Sequence, residues 1–246
     1  MRAAFFGGVY NNWLALKAAL ADARARGAEQ LYCLGDVGGF GPHPDRSIEL
    51  LREARVQMVQ GNYDDAVGNA REDCGCGYTD PRDNHFARLS YAYTLERTSI
   101  AHRPWLASLP ARLEVEAEGR RLALVHGSPR QQNEFLWETT APDAFLERLC
   151  EQTNADVLLC THTGLHWQRL LPSGKRVVNV GALGRPANDG RTCVWYAFLD
   201  TEQASAPLQF IALEYDYPAP RAGNARGAPA GGIRPNHPHW LVDDVS

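Results

Sequence analysis

The chain has no apolar stretch near the roughly 20 residues that a membrane-crossing helix needs, so no membrane partner is expected. It also has no excess of basic charge. Lys and Arg number 25 against 29 Asp and Glu, a net charge of −4. That balance argues against a broad nucleic-acid-binding surface and leaves a small phosphate site open. The N-terminus, MRAAFFGG, carries one Arg and too short an apolar run for a signal peptide, which predicts a cytoplasmic protein. Six cysteines in 246 residues are too few for a secreted disulfide framework. Cys33, Cys150, Cys160 and Cys193 sit in or beside apolar segments and read as small core residues. No internal repeat is visible. What the chain does have is 44% apolar residues, enough to bury a sizeable core.

Read in order, the first 65 residues repeat one pattern three times: a strand, a Gly-rich turn, then a helix or loop. The strands are expected over 2–6, 30–34 and 56–59, and helices over 12–26 and 44–54. That alternation points to an α/β fold, with sites at the carboxyl ends of the strands. Residues 68–84, GNAREDCGCGYTDPRDN, have no apolar period and many turn formers, and are expected to form an irregular insertion. Helices are expected over 85–98 and near 101–108. A hairpin over 113–125 turns at Glu118-Gly119-Arg120, and a helix is expected over 142–152. The buried strand Val157-Leu158-Leu159 follows, then strands near 167–171, 176–179, 192–199 and 208–214. The chain thus starts as α/β and finishes strand-rich, as two sheets packed together in one domain, residues 1–216. From there on, Pro, Gly, Ala and Arg dominate, and residues 217–246 are expected to be a flexible tail with an apolar Trp240-Leu241-Val242 near its end.

The stretch from Ala155 to His166, ADVLLCTHTGLH, ends a buried strand on polar residues and presents His162 and His166. A strand fixes where such an imidazole sits, which suits a metal ligand. Other strand ends supply company: Asp36 after Gly35, Asn62 after Gly61, and His126 at the end of the hairpin. A carboxylate, an amide oxygen and two imidazoles form a mixed O/N set that suits Mn, Fe or Zn better than Ca, which wants more oxygens.

These stretches resemble the calcineurin-like metallophosphoesterases, in particular their small bacterial branch. The family's pattern runs D-x-H-G-N, G-D, G-N-H-D, H-G and G-H-T-H. Here the matching stretches read Gly8-Val9-Tyr10-Asn11-Asn12, Gly35-Asp36, Gly61-Asn62-Tyr63-Asp64, His126-Gly127 and Thr161-His162-Thr163-Gly164. The likeness continues through Leu171 to Gly190 and covers roughly residues 1 to 200. It implies a four-layer α/β/β/α sandwich with two mixed sheets and a two-metal site, and a small-molecule phosphoester as substrate.

The departures are informative. The resemblance assigns one metal to Asp36, Asn62, His126 and His162, all present. It assigns the other to Asp36 and three positions that are here Gly8, Tyr10 and Gly164. One site is therefore expected to be kept and its neighbour lost or rebuilt, with one ion per chain, or two if other ligands join. Cys74 and Cys76 in the insertion, flanked by Asp73 and near His85, are candidate thiolate ligands; His166 and Tyr10 are further candidates. Tyr63 stands where the family has a His that assists the leaving group, and a phenol there is only a weak acid. Arg130 and Arg185 are candidate stand-ins for the missing positive charge, and Asn12 is expected to line the pocket. The functions to be separated are a phosphoester hydrolase with a mononuclear or remodelled site, a non-catalytic binding protein on the same scaffold, and a hydrolase of another bond.

Overall fold

A computed structural model describes residues 1–187, 189–203 and 208–216. The expected tail, with Trp240-Leu241-Val242, lies outside the described residues. In chain order the elements are β1 (Arg2–Phe6), α1 (Trp13–Ala25), β2 (Gln30–Cys33), α2 (Pro44–Glu53), β3 (Gln57–Met58), α3 (Asn62–Gly68), α4 (Pro81–Arg97), α5 (Arg103–Ala107), β4 (Arg112–Ala117), β5 (Arg120–Val125), α6 (Asp143–Gln152), β6 (Val157–Cys160), β7 (His166–Leu170), β8 (Arg176–Val180), β9 (Val194–Asp200) and β10 (Leu208–Leu213).

The strands form two five-stranded mixed sheets, ordered β10-β9-β1-β2-β3 and β4-β5-β6-β8-β7. In the first, β1, β2 and β3 run parallel and β9 joins β1 antiparallel. In the second, β5, β6 and β8 run parallel, with β4 and β7 antiparallel at the edges.

Side-chain alternation along the central strands divides the core in three. Phe5 of β1, Leu124 of β5, Leu159 of β6 and Val178 of β8 meet in the space between the sheets. The intervening residues of β1, Ala4 and Phe6, face the other way and pack on Leu16 and Leu20 of α1 and Ile48 and Leu51 of α2. Ala123, Leu158 and Val177 face outward from the second sheet onto Leu146 and Leu149 of α6. Three apolar layers separate four layers of secondary structure, the expected α/β/β/α sandwich.

Two local differences from the sequence expectation bear on the site. The turn expected after β3 is the first turn of α3, whose short sequence NYDDAVG has no apolar period. The Asp64 side chain supports it by accepting from the Gly61 N–H at 2.8 Å. The helix expected from residue 85 starts at Pro81, with Asp80 as its N-cap accepting from Arg82 N–H. The irregular stretch between α3 and α4 is correspondingly shorter than 68–84. Among the described residues, no helix is long and apolar enough to cross a membrane.

Candidate metal centre

The carboxyl ends of the parallel strands of both sheets converge. Asp36 leaves β2, Asn62 opens α3 just past β3, His126 leaves β5 and His162 leaves β6. Asp36 and His162 both hold left-handed backbone conformations, with φ of 57° and 64°. Non-glycine residues adopt that conformation at a cost, and they do so most often where a side chain must be aimed. All four residues are buried.

His126 Nε2 is the hub. It lies 3.2 Å from Asp36 Oδ2, 3.1 Å from Asn62 Oδ1 and 3.1 Å from His162 Nδ1. The ligand atoms of Asp36, His126 and His162 all lie within 4.8 Å of one another. The other end of each ring or amide fixes which atom faces inward. His126 Nδ1 is 2.6 Å from the Leu34 carbonyl, which only accepts, so Nδ1 carries the proton and neutral His126 presents a bare Nε2. The Asn62 amide nitrogen donates to the Cys74 carbonyl at 2.8 Å, which turns Oδ1 to the cluster. Lone pairs of a carboxylate, an amide and two imidazoles thus face one another in a water-poor site. One proton from His162 satisfies only one of these contacts, and His162 Nε2 is itself buried without a hydrogen-bond partner among the described residues. A single positive charge among the four atoms removes the repulsion, and this donor set fits a transition-metal ion.

The electrostatics agree. Burial works against the Asp36 carboxylate, but the adjacent His126 holds its carboxyl below the usual range. Burial alone would lower His126; the Asp36 charge and the Leu34 carbonyl outweigh it and raise the imidazole. In His162, burial and the neighbouring His126 push the ring down to about 4. The His162 ring is therefore neutral at pH 7 and free to offer a lone pair.

Asp64 supports the centre from behind. Its Oδ2 accepts from the backbone N–H groups of Gly61 and Asp36, and its Oδ1 accepts from Val37 N–H, at 2.8–2.9 Å. Asp36 Oδ1 in turn accepts from Tyr63 N–H at 3.0 Å, leaving Oδ2 for the cluster. Burial and the Asp36 charge push the Asp64 carboxyl up to about 7 against these donors. The sequence placed Asp64 in a motif but gave it no task; the signal was a carboxylate two residues into a helix start.

The other expected site residues fall elsewhere. The Tyr63 hydroxyl points into the helical core and donates to the Ala87 carbonyl at 3.3 Å, and burial raises its phenol further. It is turned away from the cluster and serves through its backbone N–H. Asn12 caps α1, accepting from Ala15 N–H, while its amide donates to the Gly184 carbonyl and the Tyr215 hydroxyl. Both ends of that side chain are engaged in holding the β1–α1 turn. Arg130 is exposed, lies over the Phe145 ring at 5.3 Å and is 3.7 Å from Glu134, so its charge is shared with a carboxylate. His85 is exposed on α4 beside Phe86. His166, on the edge strand β7, stacks on Trp195 of β9 at 4.2 Å and meets the tilted Phe210 ring of β10 at 4.9 Å.

Cys74 and Cys76 are placed at the site, though not as free thiols. They are bonded to each other as a disulfide, both buried. The Asn62 amide nitrogen is 3.5 Å from Cys76 Sγ, so their loop lies directly on the Asn62 side chain. A disulfide sulfur lacks the thiolate charge that makes cysteine a strong metal ligand, so in this state the pair does not act as the expected thiolates. Asn133, in the loop after His126, donates to the Gly75 carbonyl and ties the two loops together. Between them opens a cleft of about 320 Å³ whose lining includes Asn62, Asp65, Arg71, Cys74, Gln132 and Asn133.

The three positions that depart from the family pattern are filled by this chain's own side chains. A β-carbon on Gly8 would lie 2.4 Å from the Tyr10 ring and 2.7 Å from its hydroxyl. The Tyr10 ring therefore occupies the space a ligand at position 8 would need. At Gly164, a β-carbon would meet the Arg185 guanidinium at 3.3 Å.

The sequence matches the model of the calcineurin-like phosphoesterase superfamily domain over residues 1–204. It is 25% identical to the uncharacterized protein MJ0912 of Methanocaldococcus jannaschii over 223 residues, 85% of each chain. Among solved structures it is similar to the hypothetical protein PH1004 of Pyrococcus horikoshii OT3, with a TM-score of 0.72 and 23% identity over 87% of this chain and 88% of that one. It is also similar to a metallophosphoesterase from Sphaerobacter thermophilus, with a TM-score of 0.65 and 25% identity over 88% and 90% of the two chains. With the sandwich and the convergent cluster of Asp36, His126 and His162, this match places the chain in the calcineurin-like phosphoesterase superfamily.

Proposed function

We propose that the chain is a metal-dependent hydrolase of small-molecule phosphoesters that works with one Mn, Fe or Zn ion, held by Asp36, Asn62, His126 and His162. The observation that carries this reading is the convergence of Asp36 Oδ2, Asn62 Oδ1 and His162 Nδ1 on His126 Nε2, with the far ends of Asp36, Asn62 and His126 tied so that these atoms face inward. A non-catalytic scaffold has no use for such an arrangement, which costs stability when empty. The reading of a single ion is supported by the Tyr10 ring, which fills the neighbouring ligand space.

A bound ion of this class supplies Lewis acidity toward a phosphoryl oxygen and toward water. The chain's own residues set the stage. The Leu34 carbonyl keeps His126 in one tautomer, the Cys74 carbonyl keeps Asn62 Oδ1 turned inward, and Asp64 fixes the backbone that carries Asp36. The cleft beside Asn62 gives a substrate its approach.

The test is hydrolysis of bis(p-nitrophenyl) phosphate by the purified protein loaded separately with Mn, Fe and Zn. Turnover is expected with at least one of them, and Asp36→Ala is expected to abolish it while the far-ultraviolet circular dichroism stays unchanged. Absence of phosphoester turnover with every metal, or equal turnover by Asp36→Ala, would overturn the proposal.

A further inference from the structure

Arg185 is a half-buried cation with no carboxylate beside it. Of the half-buried arginines among the described residues, Arg2 and Arg169 pair with carboxylates and Arg103 and Arg176 donate hydrogen bonds; Arg185 does neither there. Its guanidinium is held instead by aromatic faces, 5.6 Å from the Tyr10 ring centre and 5.1 Å from that of Phe40. The two rings meet edge to face at 5.1 Å and form one shelf. Gly164 makes room for it, since a side chain there would start 3.3 Å from Nη2. Removing a guanidinium from water without a counter-charge is unfavourable, and stacking on rings recovers only part of the loss.

The place of this cation is as telling as its lack of a partner. Gly164 lies two residues past His162. The backbone N–H of Tyr10 donates to the Asp36 carbonyl at 3.2 Å, so the shelf is tied to a second cluster residue. Tyr10 itself is locked in place. Its ring abuts Gly8 on one side and Gly39 on the other, each too close to accept a β-carbon. The guanidinium therefore rests on a rigid support linked to the segments of Asp36 and His162, with hydrogen-bond donors that no acceptor takes among the described residues.

We propose that Arg185 is the anion-binding half of the site, gripping the phosphoryl oxygens of a phosphate ester next to the cation held by Asp36, Asn62, His126 and His162. A planar fork of N–H donors suits two oxygens of one phosphoryl group. The chain thereby pairs one exchangeable cation with one built in. This rests on the metal-centre reading above, and the experiment separates the two.

Inorganic phosphate is the probe, titrated calorimetrically into the metal-loaded full-length protein, with metal content measured on the same samples. Arg185→Met keeps the apolar stem over Tyr10 and Phe40 and removes the donors; it is expected to weaken phosphate binding about 10- to 100-fold. Arg185→Lys is expected to fall between, because the charge stays and the fork is lost. Metal content is expected to match the wild type in both. Free guanidinium at millimolar concentration is expected to recover phosphate binding in Arg185→Met, an effect that a purely structural role would not produce. Unchanged phosphate affinity in both variants, or no phosphate binding by the metal-loaded wild type, overturns the inference. If the wild type retains no metal, the functional proposal fails instead. Phosphate binding to the metal-free protein then decides the case for Arg185: dependence on the guanidinium supports it, and independence overturns it.

Discussion

Asp64→Asn tests how far the centre depends on a residue that never touches its ligand atoms. The Asp64 carboxylate accepts from three buried backbone N–H groups, two on one oxygen and one on the other. An amide of the same shape keeps a single acceptor. With that oxygen toward Gly61 and Asp36, the NH₂ group meets Val37 N–H, and a buried donor loses its partner. A hydrogen bond to a charged group contributes about 1.5–3 kcal/mol, and an unsatisfied buried donor costs about 1–3 kcal/mol. Against this stands relief of the pressure from burial and Asp36 that pushes Asp64 up to about 7. The expected net loss is about 2 kcal/mol of folding stability, from those same ranges. With Val37 N–H unpaired, the turn that holds Asp36 in its left-handed backbone is loosened, and metal affinity is expected to drop about 10- to 100-fold, as for other residues that orient a ligand from behind. Urea denaturation of the chelator-treated protein measures the first quantity, and competition with a chromophoric chelator the second. A variant with wild-type stability and metal affinity within about twofold would refute the reasoning.

Gly8→Ala is expected to cost about 1–3 kcal/mol by overpacking, because its new carbon lands 2.4 Å from an enclosed Tyr10 ring. In Gly8→Ala/Tyr10→Ala that penalty is expected to vanish, giving a coupling of the same size in a double-mutant cycle by urea denaturation; strict additivity would contradict it. The folded-state value for His162, about 4, lies below the ordinary 6.5. Between these values the unfolded chain binds the extra proton, so this group's contribution to stability is present above pH 6.5 and is lost as pH falls toward 4. The metal-free wild type is therefore expected to lose about 3 kcal/mol more than His162→Gln across that window. Parallel pH profiles of the two proteins, measured by denaturant titration, would show that the ring is not held neutral by its surroundings.

Much of this molecule was legible in the residues. The apolar runs RAAFF, VLLC and RVVNV have strand length and end on Gly or polar residues; all three are interior strands, and VLLC carries His162 just past its carboxyl end. The four ligand candidates come from separate motifs, and folding brings them together because parallel strands in two stacked sheets end on the same side. Orientation was not legible. Tyr63 reads as a candidate acid because it follows Asn62, but as the second residue of α3 it turns its ring toward α4, a rotation set by a helix too short to show a period. Asn12 reads as a pocket residue but is also a good N-cap, and local capping took it. Arg130 and Arg185 look alike in sequence. Only packing separates them, one against the exposed face of Phe145 and the other onto the Tyr10 and Phe40 shelf. Cys74 and Cys76 carry a spacing that suits chelation, and the fold brings them onto Asn62 bonded to each other.

The most direct test of the central claim is to count and place the metal in crystals of the purified protein, by X-ray emission and anomalous difference maps on one sample. A single ion per chain is expected, bound by Asp36, Asn62, His126 and His162, with Tyr10 and Arg185 beside it. A second ion next to Gly8, Tyr10 and Gly164, or a protein that binds no ion at Asp36 under any loading condition, would contradict it.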